Sequence, residues 1–438
     1  MQGAPLRGMR DFYPDEMRTR NWLFSQWRKS SMCYGFEEYN RSVLEQEELF
    51  VLKSGEEIVS QLFNFTDKGE RRVALRPEMT PTFARMIAAR GGALPKPLKW
   101  FSIAQCFRYE RMSRGRKREH YQWNLDVVGV PEVTAEAELL AVALDAVERL
   151  GLNEKDVVVR ISHRGLLGSV LEGLAVPQEK WAEVFGVIDK RGKESEESLW
   201  RLMEGLGVSQ PTIRALFSIL NEKTFDPFHT LLAEKGLSTA SVEDLETLFG
   251  YVEDYGIQGY CEFTPSIVRG LPYYTGIVFE CFDREGKFRA VFGGGRYDNL
   301  LELFGAGSLP SAGLGFGDVV IQEVLQEKAL LPELSRRIDF FLIPYSKEQR
   351  ARAVRTLQGL RKKGFCSDLL LNDKRLKGSL KEAARLRAKR AVLLLPEELE
   401  QGLLVLRDLQ SGGEERIPEG KFLEDPGRFL GFDPEDPC

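Results

Sequence analysis

An arginine inside a strand pattern is costly unless it faces a polar site. The run Phe101-Ser102-Ile103-Ala104-Gln105-Cys106-Phe107-Arg108-Tyr109-Glu110-Arg111 ends a strand pattern with Arg108, and a basic loop follows it. The planar, permanently charged fork of Arg108 can take a phosphate or a carboxylate. Arg116, on the loop, could reach a second phosphate, and the chain then enters His120-Tyr121-Gln122-Trp123-Asn124-Leu125-Asp126. These residues alone leave two readings open, a polyphosphate site or a salt-bridged sheet surface. In Leu75-Arg76-Pro77-Glu78-Met79-Thr80-Pro81 two prolines stiffen a turn around Glu78 and Thr80. A carboxylate fixed there could bind an ammonium group; the alternative is the acidic first turn of a helix. Val268-Arg269-Gly270-Leu271-Pro272-Tyr273-Tyr274-Thr275-Gly276 is the most unusual segment. Its tyrosines either pack or, with Arg269, line a pocket with hydroxyl donors. Gly293-Gly294-Gly295-Arg296-Tyr297-Asp298 lets the backbone approach a ligand closely, or is a turn. Neither a dinucleotide fingerprint nor a P-loop stands in the required context. His120, His163 and His229 are far apart and make no metal set, although His120 adjoins the candidate anion site. The six cysteines (33, 106, 261, 281, 366 and 438) include no Cys-x-x-Cys pair, so reduced thiols are expected rather than a disulfide framework or a zinc site.

The elements that would carry these groups can be read coarsely. Pro14–Met32 has a helical pattern, with Pro14 in its first turn and Trp22, Leu23 and Trp27 on the apolar side. Residues 61–75 read as a hairpin, Leu98–Tyr109 and Gln122–Val130 as antiparallel strands joined by the basic loop. Thr134–Leu150 predicts an amphipathic helix with Thr134 as its cap and Gly151 at its end. Helical patterns then dominate 165–255. Strand patterns resume at Tyr260–Val268, Ile277–Phe282 and Phe288–Phe292, and Gly313–Gly317 leads into a helix through Leu325. After Pro332, strand and helix alternate: Asp339–Pro344, Lys347–Lys363, Ser367–Leu371, Ser379–Lys389 and Ala391–Leu395. That predicts a small α/β domain with a largely parallel sheet. The acidic, Pro- and Gly-rich tail beyond Glu397 is expected to fray.

With 438 residues, 43% hydrophobic and 29% charged, the chain is globular and long enough for two to four domains. No apolar run approaches the roughly 20 residues that span a bilayer. The N-terminal residues lack a secretory core, so a cytoplasmic protein is expected. The net charge of −5 hides an asymmetry: residues 336–396 hold 17 Lys/Arg and 5 Asp/Glu, an excess of +12 that leaves −17 for the rest. Two basic regions on an acidic body suit a long polyanion gripped at two places, or else are solvated faces.

Taken in order, these segments resemble the histidyl-tRNA synthetases, a class II aminoacyl-tRNA synthetase family, over nearly the whole chain. Arg7-Gly8-Met9-Arg10-Asp11-Phe12 and the helix after it look like the N-terminal segment and motif 1. Phe107–Arg111 through Asp126 looks like motif 2, and Arg269-Gly270-Leu271-Pro272-Tyr273-Tyr274 is similar to the histidine-specific motif. The resemblance implies an α+β fold: an antiparallel sheet flanked by helices, a helical insertion, and a C-terminal α/β anticodon-binding domain. The expected divisions are 1–164 and 256–332 for the catalytic domain, 165–255 for the insertion, and 333–438 for the anticodon-binding domain with its acidic tail. It further implies that Glu78 and Asp126 hold the amino group of histidine. Tyr274 and Tyr297, with Thr80, face its imidazole, Tyr273 is a further histidine-binding residue, and Gln122 and Arg269 hold its carboxylate. Arg108 binds the α-phosphate of ATP, Arg116 the terminal phosphates, and Glu110 lies near adenine. Arg108 and Arg269 carry the catalysis, and magnesium arrives with ATP. For tRNA(His), Arg114, Lys117 and Arg118 approach the acceptor end and Lys374, Arg375 and Lys377 the anticodon. A homodimer through motif 1 is expected, unless the Trp22/Trp27 face is core.

Three positions depart from the family pattern. Val320 stands where motif 3 supplies an arginine and Val319 where it supplies a glutamate, while Pro272 replaces a common aspartate. The Val320 departure would suit a non-catalytic paralogue serving ATP phosphoribosyltransferase in histidine biosynthesis, or a module that only binds RNA. Retention of Arg108, Gln122, Arg269 and the 339–395 domain favours the ligase.

Overall fold

Alternation of residue types gives Glu119–Val128 two unlike faces. Trp123, Leu125 and Val127 enter a hydrophobic core, and Gln122, Asn124 and Asp126 face the other way. The computed structural model describes residues 3, 5–90, 93–191, 194–267, 273–372 and 374–430. It divides into units Met1–Pro332 and Glu333–Cys438.

The first unit begins with helix α1 (Pro14–Cys33), strands β1 (Glu37–Glu38) and β2 (Leu44–Gln46), and helix α2 (Glu48–Ser54). Strands β3 (Phe63–Thr66) and β4 (Arg72–Leu75), helix α3 (Thr80–Arg90) and the long strands β5 (Leu98–Phe107) and β6 (Glu119–Val128) follow. Helix α4 (Thr134–Arg149) and strand β7 (Val157–His163) lead into helices α5 (Arg164–Gly173), α6 (Trp181–Ile188), α7 (Glu196–Gly205), α8 (Gln210–Ile219), α9 (Asp226–Glu234) and α10 (Ala240–Asp254). Strands β8 (Cys261–Phe263), β9 (Ile277–Asp283), β10 (Phe292–Arg296) and β11 (Ser311–Gly317) precede helix α11 (Asp318–Glu327). The main sheet runs β1-β5-β6-β11-β10-β9-β7-β8. It is antiparallel apart from the parallel pairs β1–β5 and β7–β8.

Helices α1 and α4 cover the apolar face. Trp27 is fully buried there, stacked 5.7 Å from Trp123 and tilted 5.4 Å from Phe316. Truncating such a side chain to alanine costs about 3–5 kcal/mol. The start of α4 differs from the expected threonine cap: Val133 is the cap residue and no side chain caps it. Arg296 instead ties the preceding loop to the helix, donating to the carbonyls of Val130 (3.0 Å) and Glu132 (2.9 Å) and pairing with buried Glu136 in the first turn (2.6 Å). The Gly293–Gly295 run is strand, not turn, and residues 288–291 lie outside β10.

The second unit holds β12 (Phe340–Pro344), α12 (Lys347–Lys362), β13 (Ser367–Leu369), α13 (Leu376–Arg385), β14 (Arg390–Leu394), α14 (Pro396–Glu400), β15 (Leu403–Asp408), β16 (Glu414–Pro418) and α15 (Glu419–Glu424). Its sheet, β13-β12-β14-β15-β16, is parallel only around β12. The fraying expected beyond Glu397 does not hold for residues 403–424. Residues 403–424 add two strands and a helix, burying Leu404, Leu406, Ile417 and Phe422 in the core. Among the described residues no helix is long and apolar enough to cross a membrane.

Candidate active site

The polar face of β6 looks onto a floor of glycines. Asp126 pairs with Gly313, Asn124 with Gly315 and Gln122 with Gly317 across β11, and Gly315 and Gly313 pair in turn with Gly293 and Gly295 of β10. On the core face the same strands carry Leu314 and Phe316, so glycine and bulk alternate with the strand period. The glycines are sterically required. A methyl at 315 would collide with the Gln122 amide, and one at 313 with the Asp126 carboxylate and, at 2.9 Å, the Tyr297 hydroxyl. Among the described residues Gln122 Oε1 and Asn124 Oδ1 are buried without a hydrogen-bond partner. Buried polar atoms are seldom left so, and a ligand on this face would satisfy them.

At one end of the floor lies a cleft of about 1210 Å³, lined among others by Arg108, Glu110, Arg116, His120, Arg289, Gly317 and Val320. Arg108 is fixed by its backbone N–H to Arg118 O (2.9 Å) and by Nε to Pro77 O (3.0 Å), which ties the end of β5 to the turn carrying Glu78. Arg116 pairs with Glu110 at 2.6 Å. Burial, with the like charges of Arg289 and Arg108, pushes the Arg116 guanidinium down against the pull of Glu110. Burial also drives His120 down to about 3, helped by Arg108 and Arg10, so this imidazole is neutral at pH 7. The N-terminal segment straps the region: Arg10 bridges Glu119 (3.1 Å) and fully buried Asp318 (2.9 Å), and Arg118 N donates to Gly8 O (3.1 Å).

At the other end, acids and tyrosines gather. Tyr297 is buried and its hydroxyl donates to Asp126. Tyr273 stacks obliquely on Tyr274 (4.6 Å) and edge-on to Tyr297 (6.3 Å). Burial pushes Asp126 up to about 7 despite the Tyr297 hydrogen bond and the charge of Lys53. Lys53 of α2 went unnoticed in the sequence, yet it is central. Its side chain is 1% exposed, its ammonium is bonded to Glu78, and it lies 4.1 Å from the centre of the Tyr273 ring. Burial alone would raise the Glu78 carboxyl, but the charges of Lys53 and Arg108 and the Lys53 hydrogen bond hold it below the usual range. The available clue was a lysine three residues after Phe50 on the apolar side of a short helix.

Thr80 opens α3, two residues from Glu78. Arg269 lies outside the described residues. Of the loop cations, Lys117 lines the cleft. Arg114 turns toward Glu323 (3.7 Å) and Glu327 (3.8 Å) and sits 4.4 Å from the Phe288 ring. Arg118 lies 3.8 Å from the Tyr109 ring. In the second unit Arg375 directly precedes α13, Lys377 is in its first turn, and Lys374 pairs with Glu382 at 3.2 Å.

A family profile described as histidyl-tRNA synthetase matches residues 8–317, and one described as anticodon binding domain matches 339–425. The chain is 44% identical over 413 residues to the chloroplastic/mitochondrial histidine–tRNA ligase of Arabidopsis thaliana, covering 94% of this chain and 84% of that protein. It is 38% identical over 416 residues to the histidine–tRNA ligase of Opitutus terrae, covering 94% and 95%. A solved histidyl-tRNA synthetase from Nostoc sp. PCC 7120 superposes with a TM-score of 0.84 at 22% identity, over 98% of this chain and 100% of that one.

Proposed function

Because the chain belongs to the histidyl-tRNA synthetase family, we propose that it is a histidine–tRNA ligase, which activates histidine with ATP and transfers it to the 3′ end of tRNA(His). The observation that carries this reading is the glycine-floored face of β6, which has guanidinium groups at one end and the Asp126–Tyr297 pair at the other. An α-amino acid laid along that face would put its ammonium by Asp126 and its carboxylate toward Gln122 and Arg108. Tyr273, Tyr274 and Tyr297, with Thr80, would surround the imidazole, and Glu78 would add negative charge at the ammonium end.

The reaction needs the substrate carboxylate to attack the α-phosphorus, bringing two anions together. Arg108, with Arg269 as its proposed partner, would offset that repulsion and stabilise charge developing on the phosphoryl oxygens. A carboxylate is ionised at pH 7, so no general base is required. Arg116 and Glu110 would engage the terminal phosphates and the adenine side. Magnesium would enter with the triphosphate and neutralise part of its charge; carboxylates of Glu110, Asp189, Glu280 and Asp283 line the cleft, Glu110 being paired with Arg116. In the second step the terminal ribose hydroxyl of tRNA attacks the adenylate. We assign 333–438 to the anticodon through Lys374, Arg375 and Lys377. Residues 1–164 and 256–332 form the catalytic part, 165–255 is the insertion, and Arg114, Lys117 and Arg118 meet the acceptor end. A cytoplasmic homodimer completes the proposal, its interface lying outside the Trp27 contact, which is already core.

Pyrophosphate exchange into ATP with each of the twenty amino acids tests this reading. Exchange with histidine alone is expected. Histidine binding without exchange would overturn it in favour of the regulatory paralogue.

A further inference from the structure

We propose that Arg289 binds the phosphates of the nucleotide, supplying from the β9–β10 turn the positive charge that Val320 lacks. This rests on the reading of the cleft as an ATP site. The turn is held firmly: the Asp283 carboxylate accepts from the backbone N–H of Lys287 (2.8 Å) and Phe288 (2.9 Å), and Val291 N donates to Cys281 O (2.7 Å). Its three cations are used differently, and Arg284 is committed to Glu262 (2.9 Å). Lys287 is committed to Glu285 (2.6 Å) and Glu327 (3.3 Å). Arg289 is exposed, lines the cleft, and has no hydrogen-bond or ion-pair partner among the described residues.

The position of its stem is informative. A methyl placed on Gly115 would lie 3.2 Å from Val320 Cγ2 and 3.6 Å from Arg289 Cδ. Val320 and Arg289 thus converge on one point of the 112–118 loop. An arginine reaching the cleft from 320 would pass where Arg289 now passes. Arg108, Arg116 and Arg289 line the same cleft, and the charge of Arg289 is felt at Arg116. Of these, Arg116 is the one paired with a carboxylate, Glu110. Cations gathered in this way repel one another until a polyanion arrives. The fork of Arg289 suits phosphate oxygens.

The test is pyrophosphate exchange by wild type, Arg289→Gln and Arg289→Lys, with ATP and histidine varied separately. Losing one charge-assisted contact should lower kcat/KM for ATP roughly ten- to a hundredfold in Arg289→Gln. The histidine KM at saturating ATP should stay within about twofold, and Arg289→Lys should recover part of the loss. Because Arg289 is exposed, both variants should unfold at the wild-type temperature. Unchanged kcat/KM for ATP in Arg289→Gln, with or without a rise in the KM for tRNA, would overturn the proposal while wild-type exchange left the activation reading standing. Absence of histidine-dependent exchange in the wild type would overturn both.

Discussion

Lys53→Met should be the most damaging single substitution near the amino-acid end that removes no group assigned to touch substrate. The variant keeps the apolar stem and deletes the ammonium bonded to Glu78. Removing one partner of a buried ion pair costs about 3–5 kcal/mol. Glu78 is 16% exposed and Arg108 still acts on it, so the lower end, about 3 kcal/mol, is expected. The lost contact with Tyr273 adds about 0.5–1 kcal/mol. Without Lys53 the Glu78 carboxyl should rise toward neutrality and the Tyr273 ring loses the cation packed on it, so the histidine KM should increase through the loosened tyrosine wall while the ATP KM does not. Urea unfolding is a selective assay, since all six tryptophans (22, 27, 100, 123, 181 and 200) lie in the first unit and their fluorescence reports on that unit. Glu78→Gln in the Lys53→Met background should restore about half of the loss, because the orphaned charge is then gone. A loss below about 1 kcal/mol, or additive single and double variants, would refute the argument that Glu78 depends on Lys53.

Further outcomes follow from the same geometry. An aspartate in the unfolded chain releases its proton near pH 3.9, whereas Asp126 in the fold holds it to about 7. Between those values the folded state binds the extra proton, so stability should fall as pH rises from about 4 to about 7 and level off above. Asp126→Asn should remove that slope; an identical pH profile in wild type and variant would sink the assignment. Gly313→Ala should displace the Asp126 carboxylate and the Tyr297 hydroxyl, raising the histidine KM about tenfold or more with little change for ATP. A wild-type histidine KM in that variant would show that the floor has slack. Neutralising Lys374, Arg375 and Lys377 together should weaken tRNA charging and flatten its dependence on salt, while exchange without tRNA survives. An equal loss in exchange would contradict the division of labour between the units.

Much of this was legible because strand chemistry has a short period. Trp123, Leu125 and Val127 against Gln122, Asn124 and Asp126 already defines a core face and a site face, and the sheet obeys it. The basic loop between two strands was legible for the same reason: polar residues interrupt two apolar patterns. Three features of the fold escaped, each on physical grounds. Glycine is a poor strand former, so Gly293–Gly295 reads as a turn until the neighbouring strands are known. The arginine that anchors the start of α4 lies 160 residues from Glu136, too far for any local cap rule. In the tail, the run Leu403-Leu404-Val405-Leu406 carried a strand signal that the surrounding prolines, glycines and acids obscured.

The escape of Lys53 has a different cause, which bears on how the pocket balances charge. A lysine on a short amphipathic helix ordinarily stays at the surface, because burying an ammonium is costly without a partner. Here the partner comes from a turn 25 residues away, between β4 and α3, which helical spacing cannot reveal. Once the two meet, Glu78 is already neutralised by the protein. Asp126, held by a tyrosine hydroxyl rather than by a cation, is the carboxylate still short of a full counter-charge. An incoming ammonium gains most beside the acid that lacks such a partner. Glu78 then acts chiefly by keeping Lys53 in place against Tyr273, and Asp126 is the principal seat of the substrate amino group. On this reasoning Asp126→Asn should raise the histidine KM more than Glu78→Gln does, while Glu78→Gln should cost more in urea stability. The opposite order in both assays would return the ammonium to Glu78.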